Sequence, residues 1–260
     1  MATIAIGDIH GDYEALQEVL AQVEPQLSAD DTVVFLGDYI DRGLRSRECI
    51  DRILAFKASS AATVVGLLGN HEEWMLRTFR DQGSHSWLLG MDGAFDTIAS
   101  YSPEAAETLR RAKTHNVAQL YSSERVELPY HVFFEAMPPS HLEFFQNLQT
   151  FHRTRDGVCT HGGCDPGDGP LDTQWQRSLL WGTHDFQTAY QGPDTLVYGH
   201  WSNGALGGSG RIEPVVIGRT VGIDTLRAGV LTALRLPDGA VFQSGSTPPW
   251  TLALPDVLRS

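Results

Sequence analysis

Five short polar segments each end an apolar run, and this repeated punctuation constrains the fold more than any other feature. Thr3–Ile6 leads into Gly7-Asp8-Ile9-His10-Gly11, and Thr32–Leu36 into Gly37-Asp38-Tyr39-Ile40-Asp41-Arg42-Gly43. Thr63–Leu68 leads into Gly69-Asn70-His71-Glu72, and later runs end in His161-Gly162-Gly163 and Gly199-His200. Short β-branched and aliphatic runs bounded by glycine read as buried strands. Helical spacing fills the gaps, with Leu16, Val19, Leu20 and Val23 before Pro25, then Cys49, Ile50, Ile53, Leu54 and Phe56. The chain therefore opens βαβαβ, an α/β pattern. In open α/β sheets, sites form at the carboxyl ends of strands, where all five polar segments fall.

From about Glu72 to Asp156 the pattern changes. Helical stretches at Glu104–Lys113 and Ser140–Leu148 dominate, broken by Pro138-Pro139 and by loop glycines 83, 90 and 93. We read residues 80–155 as a helical cap inserted into a single domain spanning residues 1–260. Strand signals return at Gly157–Thr160, Thr195–Tyr198, Pro214–Ile217, Val221–Asp224 and Gly229–Leu236. The glycine-rich stretch Gly204–Gly210 reads as a surface loop.

The chain has 260 residues, 42% of them hydrophobic, which supports one sizeable core. A net charge of −13 opposes general nucleic-acid binding, because a phosphate backbone would be repelled. It does not oppose a phosphate substrate, since bound cations reverse the local sign. Three cysteines, Cys49, Cys159 and Cys164, make no disulfide framework. The N-terminus lacks the basic and apolar regions of a signal peptide. No run approaches the roughly 18 apolar residues of a membrane span. The expectation is a cytoplasmic protein with no nucleic-acid and no membrane partner; the oligomeric state is left open.

The residue types in the five segments suit two metal ions. Asp8 and His10 can turn toward one ion from a tight loop, and Asp38 can bridge two. Asn70, His161 and His200 can complete the second. Mixed oxygen and imidazole donors suit Mn, Fe or Zn better than Ca or Mg. Two such ions ~4 Å apart can polarise a phosphoryl group and hold a bridging hydroxide as nucleophile.

In order and spacing, GDIHG, GDYIDRG, GNHE and HGG resemble the signature of the phosphoprotein (serine/threonine) phosphatases, especially their bacterial and phage members. These are calcineurin-like metallophosphoesterases. The resemblance covers Thr3–Glu72, Gly157–Gly163 and Leu196–His200, and extends to the closing stretch Gly222–Leu236. It implies a four-layer αββα sandwich of two mixed sheets. It also implies two divalent metals, manganese first among them, held by Asp8, His10 and Asp38 and by Asp38, Asn70, His161 and His200. His71 would be the general acid, oriented by Asp41, and Arg42 would clamp the substrate phosphate. Asn70, His71 and His184 complete the expected substrate contacts. The implied reaction is direct attack by the metal-bridging hydroxide on a phosphomonoester, on phosphoserine or phosphothreonine of a protein and also phosphotyrosine.

Two departures refine this. Gly199-His200-Trp201-Ser202 lacks the second histidine of many broader metallophosphoesterases, which favours the phosphatase branch. Thr183, after Leu180-Trp181-Gly182, stands where many phosphatases carry a second clamping arginine, so either His184, Arg177 or a cap residue substitutes or phosphate binding is weaker. One alternative is a hydrolase of dinucleoside polyphosphates such as diadenosine tetraphosphate. That branch resembles the chain at Gly199-His200-Trp201, but typically lacks the aspartate corresponding to Asp41 and carries aspartate in place of Glu72. The other alternative is an inactive protein that binds a phosphorylated ligand. Trp74, Trp87 and Trp181 read as core residues in preference to cleft linings, and Cys159 as a core strand residue.

Overall fold

The computed structural model describes residues 1–122, 125–203 and 212–254, so the stretch 204–210 lies outside the described residues. Two mixed sheets face one another. The first runs β11–β10–β9–β1–β2–β3, with β1 (Thr3–Ile6), β2 (Thr32–Phe35) and β3 (Thr63–Gly66) parallel. The strands β9 (Thr232–Leu236), β10 (Ala240–Gln243) and β11 (Ser246–Thr251) extend it in antiparallel fashion. The second runs β4–β5–β6–β8–β7, made of β4 (Phe151–Arg153), β5 (Val158–Thr160), β6 (Leu196–Tyr198), β7 (Val215–Ile217) and β8 (Thr220–Gly222). In it β5, β6 and β8 are parallel neighbours.

Strand alternation explains the layers, because successive side chains point to opposite faces. Ala5, Val34, Leu36 and Val65 pack against Cys159, Val197, Val221 and Ile223 in the core between the sheets. Their neighbours Ile4, Ile6, Val33 and Phe35 face outward into a second core. That core is closed by α1 (Tyr13–Val23) and α2 (Ser46–Ser59) through Leu16, Val19, Leu20, Ile50, Ile53 and Phe56. On the far side, Val158, Leu196 and Tyr198 pack against Leu171, Leu179 and Phe186. Each fully buried aliphatic side chain of this kind contributes about 1.5–3 kcal/mol. The result is the expected αββα sandwich.

Between β3 and β4 the chain is helical, with α3 (Asn70–Arg80), α4 (Ser86–Gly90), α5 (Ala94–Tyr101) and α6 (Pro103–His115). Trp87, Ile98, Ala106 and Leu109 from these helices join the same outer core as β1 and β2. Ser102 caps α6 by accepting from Ala105 N at 3.1 Å, with Pro103 in the first turn, where its missing N–H is no loss. Three strands escaped the sequence reading. The strand β4 has only three residues, and β10 and β11 follow the last recognised motif. A Pro-Pro pair argues against a central strand, but β11 is an edge, where proline is tolerated.

Candidate metal centre

Six parallel strands, β1, β2 and β3 in one sheet and β5, β6 and β8 in the other, bring their carboxyl ends together. Asp8, Asp38, Asn70, His161, His200 and Asp224 follow them in that order. Loops join the sheets directly. Gly199 N donates to His161 O at 2.8 Å, and His200 N donates to Asp8 Oδ2 at 3.0 Å. Glu72 gathers a further junction. Its Oε2 accepts from Asp38 N (2.9 Å) and Gly69 N (3.2 Å), and its Oε1 from Tyr39 N (2.9 Å) and Ile40 N (3.2 Å). It stands three residues into α3 from Gly69, the position that reaches back to a helix's free N–H groups. Burial and the charge of Asp38 push the Glu72 carboxyl up to about 8, against the opposing pull of His71 and the Ile40 N–H.

Asp38 is the hub. Two groups of donors converge on it, His10–Asp38–His71 and Asp38–His161–His200, with ligand atoms within 4.8 Å of one another in each. Its Oδ1 lies 3.3 Å from His161 Nε2, and its Oδ2 lies 3.5 Å from His10 Nε2 and 3.8 Å from His71 Nε2. Burial opposes its charge, yet His161, His71, His10 and His200 outweigh burial and hold the carboxyl below the usual range. Burial in turn pushes His10 and His200 down to about 3, and lowers His161, so these rings are neutral near pH 7.

Neutral rings make the tautomers decisive. His161 Nδ1 lies 2.9 Å from the Leu36 carbonyl, so it carries the proton. Its Nε2 is then a lone pair, and it faces Asn70 Oδ1 at 2.9 Å as well as Asp38 Oδ1. His200 Nδ1 meets the same amide oxygen at 2.9 Å. His10 likewise has Nδ1 on the Ile40 carbonyl at 2.8 Å, and its Nε2, 3.5 Å from Asp38 Oδ2, accepts from Arg42. Lone pairs aimed at lone pairs call for a cation between them, and carbonyl-anchored imidazoles are the usual second layer of a metal site. The residues therefore fit divalent ions. Asp8 differs from the expectation: it stands outside the two close groups, with its oxygens on His200 N. Burial and the charges of Asp224 and Asp38 raise its carboxyl well above the usual range.

All five non-glycine residues of positive φ among the described residues belong to the predicted site: His10 (44°), Asp38 (52°), Asp41 (69°), Arg42 (65°) and His200 (58°). This conformation costs roughly 1–2 kcal/mol per residue, and strain of this sort concentrates at functional positions. Two glycines beside the ligands serve a different need, and neither is at positive φ. Gly69 and Gly199 are needed for close approach, since a Cβ would collide with Asp38 Oδ1 and Asp8 Oδ1 respectively.

His71 and Asp41 form a second unit. His71 Nδ1 and Asp41 Oδ2 are 2.7 Å apart, which leaves Nε2 facing the Asp38 cluster. Asp41 is fully buried and locked by Trp87 Nε1, which donates to Oδ2 at 2.9 Å, and by Thr97 Oγ1, which donates to Oδ1 at 2.6 Å. Burial works against a charged His71, but Asp38 and the Asp41 hydrogen bond outweigh it and raise the imidazole. Arg42 reaches in from an exposed position and donates to His10 Nε2 at 2.5 Å. His184 is exposed and stacks edge-on with Trp201 at 6.4 Å, so it sits one ring away from His200, on the rim.

Sequence reasoning missed three contributors. Trp87 was read as core; it is fully buried but also holds Asp41. Thr97 carried no signal. Asp224 had one: it follows the apolar strand β8 as Asp8 follows β1. Trp181 packs its ring 5.2 Å from His200 and 5.8 Å from Trp74.

Residues 1–214 match the family model described as calcineurin-like phosphoesterase. The chain belongs to this family of metallophosphoesterases, whose members are metal-dependent hydrolases with a dinuclear divalent centre. Among curated relatives, it is 28% identical to the asymmetrical bis(5'-nucleosyl)-tetraphosphatase PrpE of Oceanobacillus iheyensis, over 94% of this chain and 92% of that one. It is 30% identical to serine/threonine-protein phosphatase 2 of Escherichia coli, over 55% of this chain and 62% of that one. The fold is shared with the cold-active protein-tyrosine phosphatase of a Shewanella species, with a TM-score of 0.56 at 14% identity, covering 93% of this chain and 77% of that one. No helix among the described residues is long and apolar enough to cross a membrane.

Proposed function

We propose that this chain hydrolyses phosphomonoesters with alcohol leaving groups, phosphoserine and phosphothreonine of proteins among them, with His71 as general acid. The observation that carries this is the buried His71–Asp41 pair, fixed at 2.7 Å and locked by Trp87 and Thr97. An alkoxide leaves poorly unless a proton reaches its oxygen, whereas a polyphosphate leaves as a stabilised anion. A locked acid therefore serves an alcohol ester most. His71 would give its Nε2 proton to the departing oxygen, a contribution of about 10²–10⁴-fold. Arg42 would swing from His10 to hold the phosphoryl oxygens through its planar fork. Asp8, His10 and Asp38 would hold one metal ion, and Asp38, Asn70, His161 and His200 the other. When bound, such ions polarise the phosphoryl group and lower the pKa of water. The mixed donor set suits Mn, Fe or Zn. Residues 80–155 act in this proposal as a cap that fixes Asp41 through Trp87 and Thr97.

A second reading is a hydrolase of dinucleoside polyphosphates. It is favoured by the Oceanobacillus relative, whose similarity extends over 94% of this chain. The test is hydrolysis after chelation and readdition of Mn²⁺, with p-nitrophenyl phosphate, a phosphoserine peptide, a phosphotyrosine peptide and diadenosine tetraphosphate side by side. Metal-restored turnover of the phosphoserine peptide, lost in His71→Asn, is the expected outcome. Turnover of the dinucleotide alone establishes the second reading, and silence on all four despite bound metal leaves an inactive binding protein.

A further inference from the structure

We infer that Arg227 forms a second phosphate subsite next to the Arg42 clamp and His10, which takes a phosphate group one or more bonds beyond the one being cleaved. This rests on the phosphoesterase reading of the site and adds the substrate feature that the site selects. A cavity of about 450 Å³ opens beside His10, lined by Arg42 and Leu44 and by Leu226 and Arg227. A water molecule's share of volume is about 30 Å³, so this space exceeds what one phosphoryl group fills.

The charges lining the cavity decide its preference. Asp12 also lines it, but its Oδ1 caps α1 by accepting from Ala15 N at 3.0 Å. Glu14 lines it too and is paired with Arg45, which also bonds Glu48 and covers the Tyr13 ring at 4.1 Å. Among the described residues, Arg42 and Arg227 have no carboxylate within ion-pair distance. Arg227 therefore stands without a carboxylate partner beside the Arg42 clamp, in a chain whose net charge is −13.

Arg42 and Arg227 line the same cavity. Arg227 is exposed on the single turn Leu226–Ala228 between β8 and β9, so it can reach a ligand at little cost to the fold. Meanwhile Thr183, at the expected place of a second arginine, has a buried hydroxyl without a hydrogen-bond partner and no charge to offer. Arg227 supplies a cation at the cavity beside His10. The shared ligand chemistry is a second phosphate, which a nucleotide's polyphosphate chain or a doubly phosphorylated peptide can provide.

The test is titration calorimetry of the full metal-loaded chain with inorganic phosphate and with pyrophosphate, comparing wild type, Arg227→Gln and Arg227→Lys. ADP and a peptide with two adjacent phosphoserines serve as further ligands to distinguish the sources. Arg227→Gln should lower the preference for pyrophosphate over phosphate by about tenfold or more, the worth of a charge-assisted hydrogen bond. Arg227→Lys should restore most of it, which a merely structural role would not predict. The source is the ligand, ADP or peptide, whose affinity falls in parallel. An unchanged preference in Arg227→Gln, with thermal melting intact, overturns the subsite. Absence of phosphoester turnover by wild type overturns the catalytic reading instead, and the two failures are separately visible.

Discussion

Replacing Asp41 with asparagine should shift the alkaline limb of activity down by about one pH unit. The substitution is nearly free of steric or hydrogen-bonding loss. Asp41 Oδ2 accepts from His71 Nδ1 and Trp87 Nε1, and both are fixed donors. The amide that Asp41→Asn introduces must therefore turn its oxygen to that side and its NH₂ toward Thr97. Thr97 can accept it, since a hydroxyl has two lone pairs and the other already takes the residue 41 N–H at 2.8 Å. The displaced Thr97 proton finds Ser46 Oγ at 3.2 Å. What changes is the charge facing His71. A hydrogen bond to a charged acceptor is worth about 1.5–3 kcal/mol and a neutral one about 0.5–1.5. The difference of roughly 1–1.5 kcal/mol, at ~1.4 kcal/mol per unit, lowers the His71 pKa by about one unit. Asp41 holds that pKa up, so the protonated acid is lost at lower pH in the variant. The assay is kcat/KM against pH, which reports the free enzyme, with a phosphoserine peptide and with p-nitrophenyl phosphate. The peptide should lose about tenfold above the limb, and p-nitrophenyl phosphate, whose leaving group departs without a proton, far less. Equal losses on both substrates, or a limb that stays in place, would refute His71 as the proton donor.

Other consequences are open to measurement. His161→Ala should lower bound Mn from two ions per chain toward one by elemental analysis; unchanged stoichiometry would remove His161 from the ligand set. Trp87→Phe takes a donor from a fully buried carboxylate and should cost about 1.5–3 kcal/mol in urea denaturation, and a loss below half a kcal/mol would mean the bond contributes little. Gly199→Ala forces a methyl onto Asp8 Oδ1 and should cost about 1–3 kcal/mol as an overpacked site; wild-type stability would contradict the close approach. Chelation should lower Tm more at pH 8 than at pH 6. The carboxyls of Asp8 and Asp224 (about 6) are raised by burial, with Asp224's charge also acting on Asp8. Their contribution is present below the unfolded pKa and lost as pH rises through the folded one. A Tm difference equal at both pH values would count against that repulsion.

The fold was legible because strand period and strand-end polarity agree. Ile4, Ala5 and Ile6 alternate between two cores, and Val33, Val34 and Phe35 do the same in register beside them. The ligands were legible because each sits directly after such a run. Thr97 and Trp87 were not, because α4 and α5 approach Asp41 from 46 and 56 residues away with no spacing rule to announce them. Strain was invisible for a related reason. No glycine marks these positions: His10, Asp38, Asp41, Arg42 and His200 themselves adopt positive φ. Of these Arg42 is the costliest, since Asp and His tolerate the left-handed region better than other side chains.

The same division explains why the chain resembles both phosphoprotein phosphatases and dinucleoside tetraphosphatases. In the proposed reaction the strand-end motifs surround the phosphorus to be attacked and say nothing about what lies beyond it. In the proposal made above, what reads the rest of a substrate lies in segments without a motif, at Leu44 and the turn Leu226–Ala228. Such segments can change without disturbing the chemistry, because the sheets, Glu72 and Asp38 fix the centre independently of them. Substrate choice must then be measured at those positions. A substitution at Arg227 or Leu226 should alter which phosphoester is preferred while the dependence on metal and on His71 stays as it is, and a motif substitution should reduce turnover of every substrate alike.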